Sequence, residues 1–312
     1  MANEKPPFPE AVDSSMMAAF KSCHKKGELT YIEHWKPQRE SVHLVAGKAY
    51  AAGLERARRS FYEGGFPQET CIAHGTMALL KEYGDAEVPE DSPKQPQRMC
   101  EALDFYFEQC PLDKETAVPH KFGDRLGIEF SFAEPLDIKH PVTGNPILYT
   151  GRSDMICDFA DGIYIEDDKT ASQLGASWGK QWDLRSQFTG YTWGAKYGVL
   201  RLPVQGVLVR GISILKTKFG FAQAITNRAD WEIERWYEST IRYLKAMIQC
   251  WEEGYWDWDL DHACTEYGGC AFTTVCKSPT PEAWLPMYFE RRRWDPLKRE
   301  EFPVVDLEPA AV

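Results

Sequence analysis

The sequence predicts an α/β fold: a small mixed β-sheet flanked by helices, with a helical region before it and a cysteine-bearing tail after it. Three observations predict this. Apolar residues recur at helical spacing up to about residue 110, then give way to strand-like alternation near residue 126. Two alternating runs, 147–159 and 163–168, are joined by Ala160-Asp161-Gly162, and Asp-Gly between such runs is a hairpin signal. Helix, strand and helix patterns follow, which makes helices covering a mixed sheet the economical arrangement. The order is not the regular strand–helix alternation of a doubly wound nucleotide-binding fold. No GxGxxG or GxxxxGK[ST] occurs, which removes phosphate-loop readings.

Taken in order, residues 12–62 read as helical, and Val42 to Tyr62 is the strongest piece, Ala-rich with apolar residues at helical spacing. Helices are expected at 68–83 and 96–110, separated by a Pro- and Asp-containing loop at 85–95. Strands are expected at 126–137, 147–159 and 163–168, then a helix over 180–198. Strands at 204–215 and 219–226 and a long helix over 230–253 complete the pattern. Beyond 256 there are few regular signals. The chain thus divides into an N-terminal helical region (1–120), a core (121–255) and a tail (256–312) packed back on the N-terminal region.

With 312 residues, 43% hydrophobic and 27% charged, the chain can bury a full core. No apolar run reaches the roughly 18 residues needed to span a bilayer. Met1 to Glu10 is polar and proline-rich without a signal-like apolar stretch, so a cytoplasmic location is expected. The net charge of −11 argues against a broad basic coat for nucleic acid. Local basic runs remain at Arg56, Arg58 and Arg59 and at Arg291, Arg292 and Arg293, each reading as a solvated helix face. Nine cysteines, an odd number in such a compartment, are not a disulfide framework. Cys71, Cys100, Cys110, Cys157 and Cys250 read as buried small hydrophobes. Cys264, Cys270 and Cys276, evenly spaced beside Gly-Gly, form a separate group.

One constellation carries chemistry. Glu129 lies in the first strand, Asp154 in the second, and Asp167-Asp168-Lys169 at the end of the third. Gln187 and Tyr191 are four apart on the next helix, hence on one face. Hydrolysis of a phosphodiester calls for a divalent metal. Mg²⁺ is commonly held by one or two carboxylates plus water and phosphate oxygens. Asp154 and Asp167 can supply those carboxylates. The strand period of two puts Asp167 and Lys169 on one face, where the lysine can orient or deprotonate the attacking water. Asp168 faces the other way and reads as a spacer. Glu129 shares a face with Ser131 and Ala133 and reads first as a solvated carboxylate, with a ligand role as the alternative.

These residues resemble the RecB-type branch of the PD-(D/E)xK nucleases, which carries Gly-x-x-Asp, Asp-x-Lys-Thr and Gln-x-x-x-Tyr in that order. Here the motifs fall on Gly151 and Asp154, on Asp167, Lys169 and Thr170, and on Gln187 and Tyr191. The core of the resemblance spans roughly residues 126–215. It implies a restriction-endonuclease-like core, Mg²⁺ or Mn²⁺ dependence, and exonuclease action on linear single- or double-stranded DNA in phage or bacterial recombination. It also implies a possible place beside a recombination partner protein, in the host cytoplasm if the chain is phage-encoded, with Gln187 and Tyr191 shaping the site and contacting the DNA backbone. One position departs. The branch commonly has a metal-binding His in an N-terminal helix, and Ala51 stands at that place in Gly47-Lys48-Ala49-Tyr50-Ala51-Ala52-Gly53-Leu54-Glu55. Glu129, Glu55 or water are the substitutes, while His43 and His74 read as structural. Several members of the branch also fasten their two ends with a 4Fe–4S cluster, one early cysteine joining three late ones. That implies Cys23 with Cys264, Cys270 and Cys276. Four thiolates suit iron–sulfur or zinc, and the wide spacing lowers the zinc reading.

Two other classes compete with the nuclease. One is an inactive nuclease-fold module that binds DNA or a recombination partner and keeps the cluster. The other is an iron–sulfur or zinc protein whose strand carboxylates are incidental.

Overall fold

A computed structural model describes residues 5–265 and 269–298, with the backbone of 300–303. Its elements in chain order begin with β1 (Ala11–Asp13), α1 (Ser14–Ser22), α2 (His24–Gly27), β2 (Trp35–Pro37), α3 (Val42–Tyr62), α4 (Gln68–Tyr83) and α5 (Pro96–Gln109). The strands β3 (Val118–Pro119), β4 (Lys121–Phe122), β5 (Arg125–Leu126), β6 (Ile128–Lys139), β7 (Pro146–Phe159) and β8 (Gly162–Ala171) follow. Then come α6 (Ser186–Tyr197), β9 (Val204–Ile214), β10 (Phe219–Asn227) and α7 (Asp230–Glu253). The tail holds α8 (His262–Thr265), α9 (Thr273–Cys276), α10 (Pro281–Tyr288), β11 (Phe289–Asp295) and β12 (Glu300–Pro303). The predicted α/β class holds, a mixed sheet with helices against it. No helix among the described residues is long and apolar enough to cross a membrane.

The chain forms two compact units that interleave in sequence. One comprises 1–39, 133–151 and 234–312; the other comprises 40–132 and 152–233.

In the second unit, β7, β8, β9 and β10 lie side by side, with β3 and β6 also on β7. The β7–β8 and β9–β10 pairs are antiparallel and β8–β9 is parallel. β9 is buried along nearly its whole length, the pattern of a strand covered on both faces. Against one face pack Tyr50, Leu54 and Ala57 of α3, Leu79 of α4 and Leu103 of α5 with Ile212 and Ile214. Against the other pack Phe188, Tyr191 and Ala195 of α6 with Ile165, Val207 and Val209. α3 starts at Ser41, whose hydroxyl accepts from the His43 amide at 3.3 Å. α3 and α4 approach at Gly53 and Gly75: a Cβ on Gly75 would stand 2.6 Å from the Gly53 carbonyl oxygen.

In the first unit, β1 pairs in parallel with the start of β7, Val12 opposite Tyr149. Asp13 closes α1 by accepting from the Met16 amide at 2.8 Å, and its other oxygen accepts from Trp294 Nε1 at 2.8 Å. β11 pairs with β2 and β12, and a small core of Leu29, Phe272, Val275, Leu285 and Phe289 lies beside them.

Several expectations change. Residues 12–62 are not one helical stretch: β1, a π-helical turn at Glu28–Ile32 and β2 interrupt it. The helix expected over 180–198 is a 3-10 turn at Lys180–Trp182 followed by α6, with Arg185 as its N-cap. The hairpin turn sits at Ala160 and Asp161, since Phe159 pairs with Gly162, and Ala160 takes the positive φ of 50° that such a two-residue turn demands. Arg291, Arg292 and Arg293 lie on β11, not on a helix, and Arg291 Nε donates to the Glu33 carbonyl at 3.2 Å. Cys100 and Cys250 are half-buried, whereas Cys71, Cys110 and Cys157 are buried as expected.

Candidate functional site

β7 and β8 bring the predicted acidic residues together. Met155 and Glu166 are register partners, so Asp154 and Asp167 each stand one residue beyond that pair. The Asp168 amide donates to Asp154 Oδ2 at 2.6 Å, which fixes the Asp154 carboxylate against the neighbouring strand. Lys169 is ion-paired with Asp167, and its ammonium lies 5.8 Å from the Phe188 ring of α6. Gln187, in the first turn of α6, donates to the Tyr191 hydroxyl at 2.9 Å. The helical spacing of four thus becomes a direct contact on one face.

The electrostatics suit a cation. Burial, then the charges of Asp167 and Asp168, push the Asp154 carboxyl well above the ordinary carboxylate range. Burial raises Asp167 also, although Lys169 opposes it. Two carboxyls that resist ionising side by side gain from a divalent ion. Burial works against the Lys169 charge, but Asp167 and Asp154 outweigh it and hold the ammonium above its usual value.

Alternation along β8 sends Glu166 and Asp168 to the opposite face, and there the structure corrects the sequence reading twice. Asp168 is no idle spacer: its side chain, 3% exposed, is ion-paired at 2.8 Å with Arg58. Nor is Arg58 on a solvated face. It is 4% exposed, and one of its nitrogens reaches Glu166 at 2.5 Å and the Tyr106 hydroxyl at 2.8 Å. Arg210 of β9 completes this buried group, bidentate to Glu115 at 2.7 and 2.8 Å and 3.5 Å from Glu166. Burial pushes Glu166 up to about 7 in spite of both guanidiniums. The signal for Arg58 was present in the sequence. It lies four residues after Leu54 and eight after Tyr50, on the apolar stripe of α3.

Glu129 is not a solvated carboxylate. Its side chain is 8% exposed and ion-paired with Arg152. Its φ of 53° breaks the strand alternation at that residue, so the face it was expected to share with Ser131 and Ala133 does not apply. Burial raises its carboxyl against the pull of Arg152, and Glu55 is close enough to add to that. Arg59 ties Glu55 and Glu63 to α3 by contacts of 2.8 Å each. His74 Nδ1 is 3.0 Å from the Ser60 hydroxyl, a structural bond, and His43 is exposed on the first turn of α3. Two further cations went unread in the sequence. Arg152 lies within electrostatic reach of Asp154, and the exposed Arg185 acts on both Asp167 and Lys169.

In the first unit, the four cysteines singled out above line one cavity. Cys23, Cys264, Cys270 and Cys276 line a small cavity of about 20 Å³ with Leu29 and Phe272. Burial, then the charges of the other three thiols, pushes Cys276 up to about 11. Four thiols lining one cavity, from segments some 240 residues apart in sequence, are a donor set that a metal cluster would satisfy.

No family model matches the chain, and no curated protein matches it. Among solved structures, it is similar to the crystal structure of a "putative exonuclease" from Eubacterium rectale, with TM-score 0.50, 11% identity, and coverage of 80% of this chain and 85% of that one. The crystal structure of SSO0001 aligns with TM-score 0.27 and 13% identity over 73% of this chain and 84% of that one, too low to speak to fold. The first likeness is one of fold.

Proposed function

We propose that the chain is a metal-dependent DNA nuclease of the PD-(D/E)xK type, RecB branch, acting as an exonuclease on linear DNA. The observation that carries the reading is the assembly of Asp154, Asp167 and Lys169 on the neighbouring strands β7 and β8, with the Gln187–Tyr191 pair on α6. The fold likeness to a protein named as an exonuclease agrees with it.

Asp154 and Asp167 would hold Mg²⁺ or Mn²⁺, with Glu129 as a further carboxylate ligand. Such an ion neutralises charge on the phosphate and makes bound water nucleophilic. Lys169, fixed by Asp167 and held protonated, orients the attacking water and offsets negative charge as the phosphodiester opens. It is a donor here, and proton abstraction falls to another group. Gln187 and Tyr191 fix the α6 wall of the site, and Arg185 at its N-cap offers a guanidinium to the DNA backbone. In the first unit, Cys23, Cys264, Cys270 and Cys276 would hold a 4Fe–4S cluster with a structural role, because hydrolysis transfers no electrons; zinc is the alternative occupant. A recombination partner protein belongs to the same reading.

Ala51, at the place of the branch's histidine, favours a second reading: an inactive DNA-binding module. Digestion of 5′- and 3′-labelled linear single- and double-stranded DNA with Mg²⁺ or Mn²⁺ separates the two. The nuclease reading expects end-directed digestion that EDTA abolishes and Lys169→Ala removes. Cluster-intact protein that binds these ends without cutting them would establish the module instead.

A further inference from the structure

A second group of metal donors lies in the first unit, apart from the cysteine cavity. His24 Nδ1 stands 3.0 Å from Asp257 Oδ2 and 4.0 Å from Cys250 Sγ, and the three donor atoms all lie within 4.8 Å of one another. None of the three lines the four-cysteine cavity. Each arrives on a separate piece of chain: His24 opens α2, Cys250 is in the last turn of α7, and Asp257 is in the segment that follows α7.

Each piece is held in place. The His24 ring stacks on Phe20 with centroids 4.2 Å apart and planes 7° from parallel. The His24 amide donates to Asp259 Oδ2 at 3.2 Å, and the Lys25 amide to the Asp257 carbonyl at 3.0 Å. Trp256, 4% exposed, anchors the residue before Asp257 and meets Phe20 edge-on at 6.0 Å. The Tyr255 amide donates to the Cys250 carbonyl at 3.1 Å, closing the chain around the end of α7. The convergence is therefore built largely by backbone bonds and a buried aromatic pair.

The chemistry of the donors favours a cation over a hydrogen bond. A carboxylate and a sulfur both approach the same ring nitrogen, which carries at most one proton. One hydrogen bond satisfies one of them; a metal ion satisfies all three. Imidazole, thiolate and carboxylate together suit zinc and not the hard ions Mg²⁺ or Ca²⁺. Zinc bonds of about 2.0–2.3 Å at tetrahedral angles put donor atoms roughly 3.3–3.7 Å apart. The observed 3.0 and 4.0 Å bracket that spacing, and the third pair of donors lies within 4.8 Å, so side-chain shifts of about 1 Å complete it.

We propose that His24, Cys250 and Asp257 bind one zinc ion with a fourth position open to water. The ion ties the end of α7 to the α1–α2 junction. The assignment does not depend on the nuclease reading or on what fills the cysteine cavity.

The test is elemental analysis of zinc and iron per chain in full-length protein purified anaerobically, with zinc affinity measured by competition with a chromophoric chelator. Wild type is expected to hold one zinc that Cys276→Ser, a change in the cavity, leaves in place while iron falls. Cys250→Ser and His24→Ala are expected to lose that zinc, retaining about a tenth or less at matched free zinc, with iron unchanged. Asp257→Asn alters a side chain that is 60% exposed, so folding is not at issue, and it is expected to weaken zinc binding about tenfold or more. If the cavity itself takes zinc, wild type holds two ions, and Cys250→Ser and Cys276→Ser each remove a different one. Zinc content insensitive to Cys250→Ser, His24→Ala and Asp257→Asn, or wild type with no zinc beyond that lost in Cys276→Ser, overturns the proposal.

Discussion

Replacing Arg58 by methionine keeps most of the side-chain volume and removes one buried cation. In the native chain Arg58 contacts Glu166 and Asp168, whose side chains are 0% and 3% exposed against 5% for its own. Water therefore cannot take over the lost partner. Breaking a buried ion pair from one side costs about 3–5 kcal/mol. Arg210 still stands 3.5 Å from Glu166 but is engaged by Glu115. The full range is thus expected for Arg58→Met at alkaline pH, a shift of roughly 1–2 M in urea midpoint. The pH dependence follows from Glu166, pushed up to about 7 by burial. A carboxyl raised in the folded state contributes stability fully below its unfolded value, and that stability is lost as pH rises through the folded value. With one of two counterions gone, Glu166 in the variant rises further. Above pH 7 wild type has finished losing this contribution while the variant is still losing it, at up to about 1.4 kcal/mol per pH unit. Urea unfolding followed by tryptophan fluorescence at pH 6 and pH 8.5 reads both quantities. A deficit under about 1 kcal/mol at pH 8.5, or one equal at both pH values, would refute the account of a desolvated, charge-balanced group.

Further predictions concern the site and the helices. Lys169→Ala is expected to lower single-turnover cleavage of end-labelled DNA about 10²–10⁴-fold while DNA affinity changes only severalfold. Asp154 and Asp167 are both raised by burial and by like charge, so their contribution to stability is lost as pH rises. Asp154→Asn is therefore expected to make the metal-free protein more stable at pH 8 by about 1–2 kcal/mol, with little gain at pH 5. Mn²⁺ should raise the melting temperature of wild type at pH 8 and leave Asp154→Asn nearly unmoved; equal metal shifts in both would remove Asp154 from the metal site. Gly75→Ala meets a backbone carbonyl and is expected to cost about 1–3 kcal/mol. Gly47→Ala, with nothing within 4 Å of the new carbon, should add about 0.5–1 kcal/mol, and denaturant midpoints check both.

The regular elements were legible because period and punctuation agreed. α4 and α7 fall where spacing put them, and the β7–β8 hairpin follows its Asp-Gly signal to within one residue. The grouping of Asp154, Asp167 and Lys169 was legible for the same reason, since alternation fixes faces. What was not legible depends on contacts distant in sequence. Arg58 looked solvated beside Arg56 and Arg59 because its partners lie more than a hundred residues away on another element. Glu129 was misplaced because one residue at positive φ cancels a period-two argument. His24, Cys250 and Asp257 share no motif at all; only the turn after α7 brings them together.

The alternation along β8 has a consequence for how the strand finds its partners. Four consecutive residues, Glu166 to Lys169, serve two opposite faces, one lined by Arg58 and Arg210 and the other by the site. A slip of one residue against β7 and β9 would carry Asp167 and Lys169 beneath α3 and expose Glu166 and Asp168 among the site residues. Lysine would then meet two buried arginines, and three like charges would have to be desolvated together. Misregistered pairings of the strand are thus selected against by charge as well as by shape, so the residues that make the site also proofread the assembly of the sheet around it.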